Sequence, residues 1–211
     1  MLLQQPLATV TPTVDGDVLA ALARADRDFS ARALHRVIGR HSADGVRKSL
    51  NRLVAQGVVT VQEAPPAKLY RLNRNHLAAP YVIGLAQLRD EFLGRLRERL
   101  SAWNPAPSYA ALFGSATRGD MREDSDIDLF VVRPDDVAGA TAAWVDQLQA
   151  LVADASAWTG NDVRPFELSV SETVAEIQPS SDTIQAVHAE GIHLAGDRRF
   201  LSSRMAAVRH G

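Results

Sequence analysis

The sequence predicts an α+β chain of two unlike modules, and three of its features point that way. Apolar residues recur at helical spacing three times before residue 56 and are followed by two short β-rich runs, the outline of a small helical module closed by a hairpin. Two further apolar strands, 109 to 113 and 127 to 132, open a second stretch in which strands and helices alternate. Charge divides the same way. Residues 1 to 75 carry 11 Lys and Arg against 6 Asp and Glu, and residues 76 to 211 carry 12 against 19, so the net charge of −2 conceals a basic half and an acidic half. That asymmetry points to a nucleic-acid-facing module joined to one that handles cations or metal-bound phosphates.

The composition excludes several classes. At 211 residues, 46% hydrophobic and 23% charged, the chain is neither disordered nor fibrous and can bury a core. No stretch approaches the roughly 18 apolar residues that a membrane helix needs, and the opening MLLQQPLATV lacks the basic segment of a secretory leader. The absence of cysteine excludes disulfides, thiolate zinc sites and a cysteine nucleophile, and suits a cytoplasmic protein. No internal repeat is present, so the halves are distinct modules.

In the first module Asp15 is a candidate N-cap for a helix carrying Val18, Leu19 and Leu22. A second helix follows Ser30, with Ala33, Leu34, Val37 and Ile38 ending at Gly39. A third starts from Ser42. Its Val46, Leu50, Leu53 and Val54 form one stripe, which turns Lys48, Asn51 and Arg52 outward beside Arg47. Gly57 ends it, and a hairpin of residues 58 to 62 and 68 to 72 with a Pro-Pro tip follows. Three helices, a basic face and a hairpin together resemble the winged helix-turn-helix of bacterial transcriptional regulators. That resemblance implies DNA contact by Arg47, Lys48, Asn51 and Arg52, with Lys68, Arg71 and Arg74 in or near the wing. The plainer alternative is a solvated amphipathic helix, or a wing face used for dimerisation.

Residues 81 to 100 read as one long amphipathic helix with Leu85, Leu88, Phe92, Leu96 and Leu100 on one side, bracketed by Pro80 and Pro105. Its stripe serves either the second module or a second copy in a homodimer. The expected division is therefore 1–78, a linker helix at 79–104, and 105–211.

The chemistry concentrates in SYAALFGSATRGDMREDSDIDLFVV, residues 108 to 132. One strand runs into Gly114-Ser115, then come Arg118-Gly119, and a second strand begins with Asp126-Ile127-Asp128. Gly114 permits a sharp strand exit and close approach of a phosphate, and Ser115 adds a hydroxyl at the start of a helix. Strand alternation puts Asp126 and Asp128 on one face and Ile127 and Leu129 on the other. Adjacent carboxylates repel unless a cation neutralises them, and the oxygen-preferring Mg²⁺ is the expected one. The triad Asp124, Asp126, Asp128 mimics a calcium loop, but Leu129 stands where that loop needs Gly and Asp135 where it needs Glu.

This pattern resembles the nucleotidyltransferase superfamily related to DNA polymerase beta, above all its small bacterial members and the aminoglycoside nucleotidyltransferases. The resemblance implies a mixed sheet flanked by helices. It implies nucleotide binding by Gly114, Ser115, Arg118 and Gly119, with Arg118 either touching phosphates or tying the loop to Asp120 or Glu123. It implies two Mg²⁺ ions held by Asp126, Asp128 and a third carboxylate from a later strand. Glu167, in the strand 163 to 170, is the first choice. Asp162, in the turn before it, and Glu172, at the next helix start, are the weaker ones. The implied reaction moves a nucleoside monophosphate from a nucleoside triphosphate, with ATP expected, to a hydroxyl of an unknown acceptor, releasing pyrophosphate.

The remainder reads as a helix at 137 to 158 with Trp144, Leu148, Leu151 and Val152 inward, helices at 171 to 177 and 181 to 190 opened by Ser caps, a strand at 192 to 194, and a frayed tail with Arg198, Arg199, Arg204 and Arg209. His188 and His193 show no metal-ligand spacing. Two alternatives stand beside the enzyme: a DNA-binding transcriptional regulator whose second domain senses nucleotide or is inactive, and a toxin–antitoxin component that modifies a separate partner toxin.

Overall fold

In the computed structural model residues 1–139, 141–178 and 181–210 are described, the last three for their backbone. The chain divides into two compact units between Arg89 and Asp90; Leu2 goes with the first, Met1 and Leu3 with the second.

The first unit contains a 3-10 turn (Pro6–Thr9), α1 (Val14–Arg24), β1 (Phe29–Ser30), α2 (Ala31–Ile38), α3 (Ala43–Ala55), β2 (Val59–Ala64), β3 (Ala67–Leu72) and α4 (Ala79–Ala86). Its sheet has the order β1-β3-β2, antiparallel throughout, with Phe29 opposite Tyr70 and Val59 opposite Leu72. Ser30 and Ser42 cap α2 and α3 by accepting from the amides of Ala33 and Gly45, as their positions in the sequence suggest. Val46, Leu50 and Leu53 from the α3 stripe join Val18, Leu22, Leu34, Tyr70 and Leu72 in one core. Two details differ. Helix α1 starts at Val14, so Asp15 lies in its first turn and bonds Ser49 at 2.5 Å instead of capping. Val37, placed inward by spacing, is 59% exposed.

The second unit contains α5 (Leu88–Ser101, at whose start the division falls), β4 (Tyr109–Phe113), α6 (Ser115–Arg118), β5 (Ile127–Arg133), α7 (Ala142–Thr159), β6 (Val163–Ser169), α8 (Val170–Glu176), α9 (Asp182–Glu190), β7 (Ile192–Gly196) and α10 (Phe200–His210). The sheet is mixed, with order β6-β5-β4-β7: β5 and β6 run parallel and the other pairs antiparallel. One face carries Tyr109, Ala111, Phe130 and Val132, packed with Ile184, Val187, Phe200, Leu201 and Met205 from α9 and α10. By alternation Ala110, Leu112, Leu129 and Val131 turn to the opposite face, all of them buried.

The long amphipathic pattern of residues 81 to 100 is not one helix. It is interrupted at Gln87: Val82 and Ala86 of α4 enter the first core, whereas Phe92 of α5 meets Trp158 edge-on at 6.5 Å in the second unit. Continuous apolar spacing serves two different cores, so it gives no sign of the break. Helix α7 begins at Ala142 after Thr141 instead of at 137. Helix α8 is capped by Ser169, in a reciprocal capping box with Glu172, and not by Ser171. The tail is helical and not frayed, because Phe200, Leu201 and Met205 are buried and the Arg204 guanidinium lies 4.1 Å above the Phe200 ring. The Arg209 side chain lies outside the described residues. Among the described residues no helix is long and apolar enough to cross a membrane.

Candidate active site

The two halves of the sequence motif, twelve residues apart, meet because β4 and β5 form a tight antiparallel pair. Phe113 stands opposite Asp128 and Leu112 opposite Leu129, which brings the exit of β4 beside the entry of β5. At that exit Gly114 adopts φ 74°, a conformation that side chains resist, and a Cβ on it would collide with the Asp128 carboxylate. Glycine is required here twice over. The one-turn helix α6 follows, with Ala116 buried beneath it, and Gly119, at φ 80°, ends it by donating to the Ser115 carbonyl at 3.1 Å.

Asp126 immediately precedes β5 and Asp128 is its second residue, with Ile127 and Leu129 buried between and after them. The loop that delivers Asp126 is pinned from behind. Asn161, buried, donates to the Ser125 carbonyl at 3.0 Å, and the amide of Ile127 donates to the Asp162 carbonyl at 2.8 Å. Burial, and then the charge of Asp126, raise the proton affinity of Asp128 above that of an ordinary aspartate, against weaker opposing pulls from Arg164 and Arg118. Arg118 ties the loop down: it pairs with Asp120 at 3.2 Å and with Glu190, at the end of α9, at 2.7 Å. No local pattern in the sequence signals Glu190, since 72 residues separate it from Arg118.

Glu167 does not join the aspartates. In the parallel pairing of β5 with β6, Asp128 stands opposite Arg164, Phe130 opposite Phe166 and Val131 opposite Glu167. Phe166 stacks on Phe130 at 5.7 Å, which fixes the faces: Arg164, Phe166 and Leu168 share the side of Asp128, and Glu167 turns to the other. There it accepts from Arg133 Nε at 2.7 Å and from the Trp144 indole at 3.2 Å, a structural role. Glu172 is spent on the α8 capping box. Asp162 is bound to Arg164 Nε at 3.2 Å, while Arg164 Nη1 reaches Asp126 at 2.6 Å. The position opposite Asp128 thus carries a guanidinium, and Glu167, expected to supply the third carboxylate, faces away.

Asp126 and Asp128, on one face beside the cradle left open by Gly114, suit a single Mg²⁺, which takes one or two carboxylates and completes its shell with phosphates and water. A second ion held by Glu167 does not fit this arrangement. Among the described residues no group of three or more His, Asp or Glu is set to hold a metal.

In the first unit the basic residues of α3 and the hairpin are exposed and mostly paired. Asp44 holds Arg47 at 2.5 Å and Lys48 at 2.9 Å, Asp15 holds Arg52, Glu63 holds Lys68 at 2.6 Å, and Asp26 holds both Arg71 and Arg74. Asn51 is exposed on the same helix.

A mixed sheet thus sets two aspartates at the entry of one strand against a Gly-Ser exit of its neighbour, a candidate active site. Residues 90–176, which contain all of it, match the model of the nucleotidyltransferase domain family. The second unit carries a nucleotidyltransferase domain. No curated protein matches it. Among solved structures it is similar to one described as a toxin–antitoxin with AMP-PNP, at 21% identity, covering 56% of this chain and 87% of that one with a TM-score of 0.38. A second, the toxin–antitoxin MntA–HpeT with two Asp-to-Glu substitutions, is 19% identical over the same shares at a TM-score of 0.39.

Proposed function

We propose that the second unit transfers a nucleoside monophosphate from a nucleoside triphosphate, with ATP as donor, to a hydroxyl of an acceptor. The observation that carries this is the meeting of Gly114-Ser115 with Asp126 and Asp128 through the β4–β5 register. A Mg²⁺ held by the two aspartates would draw charge from the triphosphate and favour in-line attack at the α-phosphorus. Gly114 gives the phosphates room to approach the backbone, Ser115 offers its hydroxyl and amide, and Arg118 and Gly119 fix the loop. Burial raises the proton affinity of Asp128, so it is the better placed of the two to take the acceptor's proton.

The first unit we read as a winged helix-turn-helix that brings this activity to DNA. Support comes from the order of three helices and a hairpin, and from the face of α3 that carries Arg47, Lys48, Asn51 and Arg52. The carboxylates that hold these bases do not preclude it, since an exposed ion pair contributes only about 0–1 kcal/mol and DNA phosphates can replace it. The proposed domains divide at residues 89–90, within the stretch 79–104 that the sequence reads as a linker helix: α4 goes with the first and nearly all of α5 with the second.

The test is to incubate the chain with Mg²⁺, each of four α-labelled nucleoside triphosphates and an acceptor panel of lysate protein, RNA, small hydroxyl compounds and any partner toxin. One labelled acceptor is expected, absent with Asp126→Ala/Asp128→Ala. No labelled product with any nucleotide would overturn the proposal.

A further inference from the structure

We propose that Arg164 is a nucleotide-binding residue with two stations: without nucleotide it occupies the carboxylate cluster as its resident cation, and with nucleotide it moves to the triphosphate. The inference rests on the nucleotidyltransferase reading above and adds a residue that the sequence pattern does not contain.

Three observations converge on it. The β5–β6 register sets Arg164 directly across from Asp128, and the Phe130–Phe166 stack proves that it shares the face of the aspartates. Its guanidinium spans two carboxylates, at 2.6 Å from Asp126 and 3.2 Å from Asp162, so it neutralises the acid cluster where a cation is needed. Its side chain is nevertheless 64% exposed, so these ion pairs are solvent-screened and exchangeable. A buried, fully enclosed arginine would be a fixed strut; this one is free to turn.

The chemistry decides what it turns toward. A metal-bound triphosphate brings several phosphate oxygens to the face that Arg164 overlooks. A guanidinium matches phosphate with two parallel N–H donors, which lysine cannot do. A divalent ion held by Asp126 and Asp128 would repel the guanidinium from that position, and the phosphates bound with it would attract it. The carboxylates are thus kept from mutual repulsion in the resting enzyme by a cation that becomes a substrate ligand.

The two stations make a crossed prediction, read by binding and not by turnover. For Arg164→Ala, Mn²⁺ alone, followed by its electron paramagnetic resonance signal, should bind the nucleotide-free protein about tenfold more tightly, because the competing guanidinium is gone. The same variant should bind α,β-methylene-ATP with Mg²⁺ about tenfold more weakly, and Arg164→Lys should recover part of that loss. Unchanged affinity for the analogue, or unchanged affinity for Mn²⁺, would overturn the proposal while leaving the enzyme reading intact, provided that wild type binds the analogue and Asp126→Ala/Asp128→Ala does not. If wild type does not bind the analogue at all, both fall. Loss of both affinities together in Arg164→Ala, with Arg164→Lys equally impaired, would mark a structural role and overturn the two-station proposal.

Discussion

The two units of the chain treat charge in opposite ways. On α3 and in or near the hairpin, each basic side chain singled out from the sequence has a carboxylate partner: Asp44 for Arg47 and Lys48, Asp15 for Arg52, Glu63 for Lys68, Asp26 for Arg71 and Arg74. In the second unit two aspartates stand on one face, and burial with mutual repulsion raises the proton affinity of Asp128. Matched pairs in water cost little and contribute little, about 0–1 kcal/mol each, so they say nothing about a ligand. Like charges held together oppose folding; the Arg164 guanidinium at Asp126 offsets part of that cost, and on the reading proposed above a divalent cation would take its place. The basic half is the better clue to composition and the acidic half the better clue to chemistry.

The sharpest way to break this contrast is to remove the mismatched charges. Asp126→Ala/Asp128→Ala should reduce nucleotidyl transfer by about a thousandfold or more, in the range seen when preorganised electrostatic groups are deleted, with the fold intact by circular dichroism. Gly114→Ala should approach the same loss by another route. Its φ of 74° and the collision of the new Cβ with the Asp128 carboxylate displace one aspartate from the other, so this variant should also melt earlier than wild type. Transfer within threefold of wild type in either would remove the acid pair from the mechanism.

Glu167 supplies the next effect, on stability and not on activity. Glu167→Ala takes the nearest carboxylate from the Arg133 guanidinium, 13% exposed, which keeps the Val137 carbonyl and the more distant Glu172, and takes the acceptor from the Trp144 indole, so unfolding should become easier by about 1–3 kcal/mol in a urea titration. Transfer by the folded fraction should stay within a few-fold of wild type. The contrast with Arg164 shows how much the sequence disclosed. Asp126 and Asp128 are legible because they straddle the entry of a strand, where two-residue alternation fixes their common face, and Gly114-Ser115 because they follow directly on an apolar strand. In VRPFELSV both parities offer polar residues, and only the pairing with β5 decides that 164, 166 and 168 face the aspartates. The choice of Glu167 follows the need for a carboxylate, and register overrides it. The joint at Gln87 and the helical tail escape for a related reason, since each depends on which core a side chain joins, and local spacing carries no record of that.

A smaller effect separates the two kinds of carboxylate by pH. Because the folded-state pKa of Asp128 is raised, its ionised form opposes folding. That cost is absent below the ordinary carboxylate pKa, where Asp128 is protonated whether folded or not, and is complete once pH exceeds the raised value. Asp128→Asn should therefore melt above wild type at neutral pH, with the advantage closing on acidification. Glu172 and Asp135 run the other way. Backbone and side-chain hydrogen bonds from Ser169 and Ser171 lower their pKa values, so they stabilise above the usual carboxylate range and lose that contribution as pH falls. Glu172→Gln should accordingly melt below wild type at neutral pH and converge with it in acid. Melting curves of the three proteins across the carboxylate range would converge in acid as described or refute the assignment.

The smallest effect sharpens the comparison from the basic side. Asp44 lies in the first turn of α3 and holds both Arg47 and Lys48. Replacing it with Asn removes a favourable charge at a helix N-terminus and two exposed, solvent-screened ion pairs, so the melting temperature should drop only slightly. Its effect on DNA has the opposite sign if this face meets the duplex: the carboxylate competes with phosphates for Arg47 and Lys48, and without it affinity should rise several-fold. Arg47→Ala/Lys48→Ala should lower affinity and reduce the slope of log K against log salt by about two, one for each phosphate that no longer finds a cation. A merely solvated face would leave DNA affinity unchanged by Asp44→Asn and by the double variant alike. The salt slope is the discriminating result: the two variants change net charge in opposite directions and would shift affinity oppositely on that ground alone, whereas the slope reports the phosphates neutralised at this helix.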